Sequence, residues 1–316
     1  MLYFCGMEKS TEYINQSLRH QYTVREIKFL AMRILQHITQ LSTANILTNK
    51  YTILSDTQHE KVKMIVERLK KNEPLGYIIG ECEFFSLPFE VNPYTLIPRP
   101  ETEELVDWII TDVRAYCIHP SINKGVYNTP LRILDIGTGS GCIAVSLAKN
   151  LKNSIVTAFD ISTEALETAK KNAKKNNVTI DFRKEDILEI LDKAKRQSRA
   201  AGQARNDNAN CTDEFDIIVS NPPYVCEKEK TDMKDNVLQY EPHLALFVSG
   251  DDPLLFYRAI ALFATTHLKQ GGSLYFEINR TFGNEICKML DEMGFFNIEL
   301  RKDLSGNDRM VKAQRR

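Results

Sequence analysis

The 316-residue sequence has almost no charge of one sign to spare: 41 Lys and Arg stand against 42 Asp and Glu, for a formal net charge of −1. A chain so balanced has no global field to draw it to nucleic acid or to a membrane surface. Cysteine pairing signals are also missing. Cys5, Cys82, Cys117, Cys142, Cys211, Cys226 and Cys287 are odd in number and form no Cys-x-x-Cys pair, and the six histidines do not fall at ligand spacing. This argues against a disulfide framework and a zinc site, and no metal is expected. Scattered reduced thiols fit a cytoplasmic protein. No run approaches the roughly 18 apolar residues of a bilayer span. The apolar opening at 1–6 is too short for a signal peptide and lacks a basic leader. No coiled-coil seam is evident, so a monomer is expected.

What is present is ordinary soluble composition, 43% hydrophobic and 26% charged, in a chain long enough for a full core. Residues from about 13 to 71 read as helix. Val24, Ile27, Leu30, Ala31, Ile34, Leu35 and Ile38 recur at three- and four-residue steps, which is one helical face. Met64, Ile65 and Leu69 repeat the pattern after a capping Ser55-Asp56. Residues 1–75 thus form a helical domain, mildly basic with 11 Lys/Arg against 7 Asp/Glu. Its surface is either a solvated face or a docking face, and the residues do not choose. Pro74 breaks the helix. A linker or hairpin follows over 76–98, with the stretch 84–91 as strand or hairpin and a turn at Asn92-Pro93. Helix resumes at 101–110, with Leu105, Trp108 and Ile109 inward.

From 131 the pattern alternates. Strands are expected at 131–134, 155–159, 179–182, 215–219 and 273–278, with helices at 142–150 and 163–176 between the early ones. Such alternation predicts an α/β doubly wound, mostly parallel sheet. The last two segments, 297–301 and 310–314, flank the turn Ser305-Gly306-Asn307-Asp308, so they pair antiparallel. The whole predicts one domain over 99–316, its sheet seven-stranded with a terminal antiparallel hairpin, a layout that resembles Rossmann-like class I methyltransferases. Residues 193–213 are polar and poor in large apolar side chains, which predicts a mobile surface insertion.

Two constellations carry chemistry. Gly137-Thr138-Gly139-Ser140-Gly141 joins the first strand to its helix in the spacing G-x-G-x-G, not the G-x-G-x-x-G of a dinucleotide site. S-adenosyl-L-methionine has no phosphate and suits the difference. Asp160 ends the second strand, where an acid can accept both ribose hydroxyls; capping the next helix is the competing role. Asp186 follows the third strand and can accept from an adenine amino group, with Ile187 covering the ring. Either residue could instead simply begin a helix.

Ser220-Asn221-Pro222-Pro223-Tyr224 follows the fourth strand, at the sheet edge where such folds bind ligands. An amide or exocyclic amine is a poor nucleophile because its lone pair is delocalised. The Asn221 side-chain oxygen can accept one N–H of the target, and the Pro222 carbonyl the other. The lone pair is then aimed at the methyl group, a positioning effect worth several kcal/mol. Pro222 and Pro223 stiffen the turn. Tyr224 can pack on the flat target and face the sulfonium, a contact of about 1–2 kcal/mol. Asn221 therefore borders both target and cofactor. A plain strand-ending turn is the bland alternative.

These residues resemble the release-factor glutamine methyltransferase family, and the match covers nearly the whole chain. It is carried by Pro74 to Gly80, by Phe84-Phe85-Ser86-Leu87-Pro88-Phe89, and by Leu96-Ile97-Pro98-Arg99-Pro100-Glu101-Thr102-Glu103. Asn221 to Tyr224, Tyr240-Glu241-Pro242 and Asp303-Leu304-Ser305-Gly306-Asn307-Asp308-Arg309 extend it. The resemblance implies methyl transfer from S-adenosyl-L-methionine, leaving S-adenosyl-L-homocysteine. The acceptor would be the glutamine of the Gly-Gly-Gln loop in class 1 peptide-chain release factors. It also implies a front domain that helps hold the release factor, and Arg99 and Glu101-Thr102 near the cleft. By its residues alone, Arg99 could pair with Glu101 or Glu103. The chain departs from the family where Glu277-Ile278-Asn279-Arg280-Thr281-Phe282 replaces the usual Glu-Ile-Gly and following Gln, and at the longer 193–213 segment.

Two rival functions stand beside this one. A nucleic-acid amino-methyltransferase, such as an adenine-N6 enzyme, would flip a base against Asn221 and Tyr224. It needs a basic reading surface, which this neutral chain does not advertise, so no direct nucleic-acid substrate is expected. A non-catalytic cofactor-binding scaffold would not need Asn221 and Tyr224.

Overall fold

Leu131–Ile136, Phe215–Ser220 and the Leu274–Glu277 end of Leu268–Glu277 are largely apolar and buried on both faces, as central strands of a parallel sheet must be. In the computed structural model, which describes residues 7–48, 53–118, 129–200, 214–233, 235–248 and 252–316, these runs lie centrally in one sheet. The strands are β1 (Glu81–Phe84), β2 (Leu87–Glu90), β3 (Leu131–Ile136), β4 (Ser154–Asp160), β5 (Asp181–Lys184), β6 (Phe215–Ser220), β7 (Leu268–Glu277), β8 (Phe296–Lys302) and β9 (Asp308–Gln314). Seven of them run in the order β5-β4-β3-β6-β7-β9-β8. All neighbours are parallel except β9, which is antiparallel to both β7 and β8. The fold expected from the alternation is the fold found.

Ile133, Val156, Ala158, Ile217, Val219 and Tyr275 point into one layer. Leu134, Ile136, Phe159, Ile218, Leu274 and Phe276 point into the other. Each such Val, Leu, Ile or Phe side chain taken from water contributes on the order of 1.5–3 kcal/mol. The strand order reverses between β3 and β6. There β3 continues to β4 on one side and pairs β6 on the other, so the loops after these strands splay apart and leave a crevice.

The chain divides into two units, one of Met1–Glu81 with Lys234–Tyr240, the other of Cys82–Met233 with Glu241–Arg316. The first is helical: Met7–Leu18, Val24–Thr39, Thr43–Thr48, Asp56–Leu69 and Leu75–Ile79. Its core holds Ile14, Leu18, Ile27, Leu30, Ile34, Leu35, Val62, Ile65, Val66 and Leu69. The long helices start on capping boxes, Thr23 with Glu26 and Ser55 with Gln58, which satisfy otherwise orphaned N–H groups. Two expectations about this unit fail. Val24 and Met64 are exposed: Val24 is the first residue of its helix, and Met64 lies off the Val62-Ile65-Val66-Leu69 face. Pro74 does not end the Asp56 helix, which stops at Leu69; it occupies the N-cap of Leu75–Ile79 instead. The short helix Asp235–Tyr240 joins this unit, with the Tyr240 hydroxyl donating to the Lys71 carbonyl at 3.0 Å.

In the second unit β1 and β2 form a hairpin, as one reading of 84–91 expected. Phe85 and Ser86 both adopt positive φ, 51° and 58°, the requirement of a type I′ turn. Glu103 Oε1 accepts the Phe85 N–H at 2.7 Å. The helix Pro100–Ile118 is longer than expected. Proline suits its first position, where no N–H partner exists. Trp108 packs edge-on to Tyr275 at 5.5 Å, and Asp112 accepts from the Tyr275 hydroxyl (2.7 Å) and the Lys312 ammonium (2.6 Å). The first turn of the helix is thereby held over the end of β7.

The helix Ile187–Ala200 carries helix into the segment expected to be a mobile insertion. Ala, Lys, Arg and Gln are good helix formers, and Leu188 and Leu191 give the helix a face to bury. Residues 201–213 lie outside the described residues.

Candidate active site

The β3–helix loop, the ends of β4 and β6 and the start of β5's loop meet at one sheet edge. Ile136 is in register with Phe159 on one side and Ser220 on the other. The Ser220 hydroxyl donates to the Ile136 carbonyl at 2.7 Å, tying the two strands together at the crevice. In the loop itself Gly137, Gly139 and Gly141 have φ of 75°, 55° and 80°, a conformation that costs other residues about 1–2 kcal/mol. At Gly141 a Cβ would lie 3.1 Å from the Ala169 Cβ, so this glycine also permits helix packing. At Gly137 and Gly139 a Cβ would meet nothing within 4 Å. Thr138 and Ser140, between them, are buried.

Asp160 is bonded directly to this loop. Its Oδ2 accepts the Gly139 N–H at 2.8 Å and its Oδ1 the Ser162 N–H at 2.9 Å. Burial raises its pKa, and those backbone donors oppose the rise. It does not cap the following helix, a role taken by Ser162, whose hydroxyl accepts from the Ala165 N–H. Asp186 does begin its helix: Oδ1 accepts the Leu188 N–H at 2.8 Å and its carbonyl accepts from Ile190. Ile187 is buried in the same apolar cluster as Phe159.

Across the crevice, Asn221 follows β6. Its Nδ2 donates to Thr102 Oγ1 at 3.5 Å, and the Thr102 hydroxyl donates to Glu277 Oε2 at 2.6 Å. Pro222 is buried and Pro223 half-buried beside it. The Tyr224 hydroxyl reaches Glu277 Oε1 at 3.5 Å. Burial, then the Glu277 charge, push the Tyr224 phenol pKa up, so it stays protonated.

Arg99 pairs with neither Glu101 nor Glu103. It donates to Glu241 Oε1 at 2.6 Å, a carboxylate 4% exposed whose other oxygen is buried without a partner. Burial raises the Glu241 pKa and the Arg99 charge opposes it. This links two of the motifs that carry the family resemblance. The Asn279 departure is accommodated by bonding: its Nδ2 donates to the Tyr224 carbonyl (3.4 Å) and to the Glu229 carboxylate (3.1 and 3.2 Å), and its Oδ1 accepts from Thr281.

Spacing alone did not single out Asp135, Glu277 or Asn172. Asp135 is fully buried, with Oδ2 accepting from Thr138 (2.7 Å) and Ala144 (3.2 Å) and Oδ1 unpartnered. A carboxylate directly after an apolar run was the available signal, after Ile133-Leu134 at Asp135 in β3 and after Leu274-Tyr275-Phe276 at Glu277 in β7. Asn172 had no such signal. It is buried in a helix, yet it exchanges bonds with the Glu90 N–H (2.6 Å) and carbonyl (2.9 Å) and donates to the Ser140 carbonyl (2.9 Å). It thus clamps β2 to the glycine loop.

Known proteins resemble the chain over both of its parts. A methyltransferase domain model matches residues 128–309, and a PrmC N-terminal domain model matches 12–80. The chain is 45% identical to the release factor glutamine methyltransferase of Flavobacterium psychrophilum, over 96% of each chain. It is 42% identical to that of Bacteroides thetaiotaomicron, over 98% of this chain and 100% of the other. Among solved structures, the hMettl16 catalytic domain bound to MAT2A 3'UTR hairpin 1 superposes with a TM-score of 0.51 over 91% of this chain and 90% of that one, at 16% identity. That likeness is one of fold alone. The chain is a methyltransferase, and it belongs to the release factor glutamine methyltransferase family.

Proposed function

We propose that the chain transfers the methyl group of S-adenosyl-L-methionine to the side-chain amide nitrogen of the glutamine in the Gly-Gly-Gln loop of class 1 peptide-chain release factors. The observation that carries this reading is the Asn221 turn, set at the same sheet edge as the Gly137–Gly141 loop in a chain so close to relatives named for that substrate. The helical unit, matched by a domain model of its own, would help hold the release factor.

The chain's residues suit the cofactor. A buried carboxylate oxygen without a partner, as at Asp135 Oδ1, suits the ammonium of a methionine end. Backbone at Gly137 and Gly139 with no neighbour near an added Cβ lets a ligand come close. Each Asp160 oxygen accepts one N–H and keeps acceptor capacity for a ribose hydroxyl. Asp186 and Ile187 would border the adenine. Bound S-adenosyl-L-methionine supplies a methyl group already activated on a sulfonium and departs as S-adenosyl-L-homocysteine, so no strong base is required. The chain's own task is positioning. Asn221 Oδ1 and the Pro222 carbonyl accept the two amide hydrogens, Pro222 and Pro223 restrict the turn, and Tyr224 covers the planar group.

Labelled S-adenosyl-L-methionine tests the substrate: label should enter a class 1 release factor and not a version whose loop glutamine is alanine. Transfer to DNA or RNA with none to the release factor overturns the proposal.

The Asp135 carboxyl gives a pH dependence. Burial pushes it from 3.8 up to about 7, against the Thr138 and Ala144 hydrogen bonds. Because the folded pKa is raised, the apo protein loses stability from this group as pH rises from about 4 through about 7. A cationic ligand group favours the ionised form. Cofactor affinity should therefore fall as pH drops through about 7, and Asp135→Asn should flatten that dependence. Calorimetric titration between about pH 6 and 8 checks it, and an equal slope in the two proteins would count against the ammonium contact.

A further inference from the structure

One buried run of side chains decides which way the Asn221 amide points. Glu277 is 1% exposed and Thr102 is 2% exposed. The Thr102 hydroxyl donates its single hydrogen to Glu277 Oε2 at 2.6 Å. Tyr224 donates its own to Glu277 Oε1 at 3.5 Å. A carboxylate only accepts, so both hydroxyls must turn their hydrogens toward it. Thr102 Oγ1 then offers Asn221 lone pairs alone. The Asn221 side chain meets it at 3.5 Å with Nδ2, and Oδ1 is turned away from Thr102. The two ends of an amide are nearly the same shape, so only its hydrogen-bond partners decide which end lies where.

We infer that Thr102 and Glu277 are positioning residues that fix the Asn221 amide with its oxygen, not its NH2, toward the target nitrogen. The inference rests on the proposed role of Asn221. With the amide flipped, the Asn221 NH2 would oppose the N–H of the target instead of accepting it. Burial raises the Glu277 pKa, while the Thr102 bond and the Arg309 charge oppose the rise and favour the acceptor form. Both partners are firmly held. Thr102 rides the first turn of the helix anchored by Trp108 and Asp112. Glu277 ends β7, where it pairs with Met310 of β9.

Thr102→Val keeps the side-chain shape and removes the hydroxyl, while Thr102→Ser keeps the hydroxyl. The Asn221 side-chain amide resonances, assigned by their loss in Asn221→Asp, report the bond directly in the full chain. In Thr102→Val they should shift, and kcat on a release factor should fall about tenfold, the rate equivalent of one hydrogen bond. KM and S-adenosyl-L-methionine affinity should stay close to wild type, and Thr102→Ser should restore both resonance and kcat. Unmoved resonances, or an unchanged kcat in Thr102→Val, overturn the inference. If the wild-type chain methylates no release factor yet the resonances move in Thr102→Val and not in Thr102→Ser, the proposed substrate fails and the orienting contact stands. If the wild type is active and Thr102→Val equals it, the substrate stands and the positioning role fails.

Discussion

Asn221→Ala is expected to lower kcat on a release factor by about 10²–10³-fold, the usual loss when one preorganised polar contact to the reacting group is removed. The side-chain oxygen of Asn221 is one of the two acceptors proposed to hold the target amide, and alanine leaves that N–H unheld. The lone pair of an amide nitrogen is delocalised into the carbonyl, so nothing but placement brings it onto the methyl group. Cofactor binding should survive the change. The side-chain bond of Asn221 runs to Thr102 and not to the glycine loop, and the Ser220 hydroxyl that ties β6 to β3 is untouched. Single-turnover rates beside calorimetric cofactor affinity separate the two effects. Activity within about threefold of wild type, against the expected 10²–10³-fold loss, would remove Asn221 from the proposed grip.

Asp160→Ala should do the reverse, with its primary effect on the cofactor. Hydrogen bonds to a charged group are worth about 1.5–3 kcal/mol each, and two ribose hydroxyls would be lost together, so affinity should fall by about 100-fold or more. A second consequence comes from the apo chain. The Gly139 and Ser162 N–H groups both lose their acceptor, so the loop is less well held before any ligand arrives and the melting temperature should drop. Isothermal titration of wild type, Asp160→Asn and Asp160→Ala should give that order of weakening. Equal affinity in all three would assign the ribose contact elsewhere.

Much of this architecture is legible from apolar runs. β3, β4, β6 and the second half of β7 are mostly buried and read as short apolar segments, so their existence and a mostly parallel sheet follow from the pattern. The edge strand is less legible. Strand is expected at 179–182, whereas β5 is Asp181–Lys184. Ile180, an apolar residue inside the expected segment, packs on the core just ahead of β5, while the paired residues apart from Phe182 are charged. The helical unit shows the same limit: periodicity finds the buried face but does not say that Val24 and Met64 lie off it.

The candidate site was legible where a short motif carries its chemistry locally. Gly137, Gly139, Gly141, Asp160 and Asn221 to Tyr224 could be singled out because their residue types and positions at strand ends point to one task. The bonds that hold them were not, although the resemblance had put Thr102 near the cleft. Thr102 meets Asn221 across a separation of 119 residues and Glu277 across 175. Asn172 reaches Glu90 across 82. Such bonds exist only once the sheet has brought distant segments together, and no local period encodes them. The same holds for Arg99, whose local candidates Glu101 and Glu103 were nearer in sequence than its partner Glu241. The short helix Asp235–Tyr240 likewise gives no local sign that it belongs with the helical unit.

The most direct test of the proposed reaction is fragmentation mass spectrometry of a class 1 release factor after incubation with this chain and S-adenosyl-L-methionine. One added methyl group should appear on the side chain of the glutamine in the Gly-Gly-Gln loop, and over the same early time the peptide should carry about 10²–10³-fold less of it when the enzyme is Asn221→Ala. A methyl group on any other residue, or an unmodified loop peptide with the wild-type chain, would contradict the assignment.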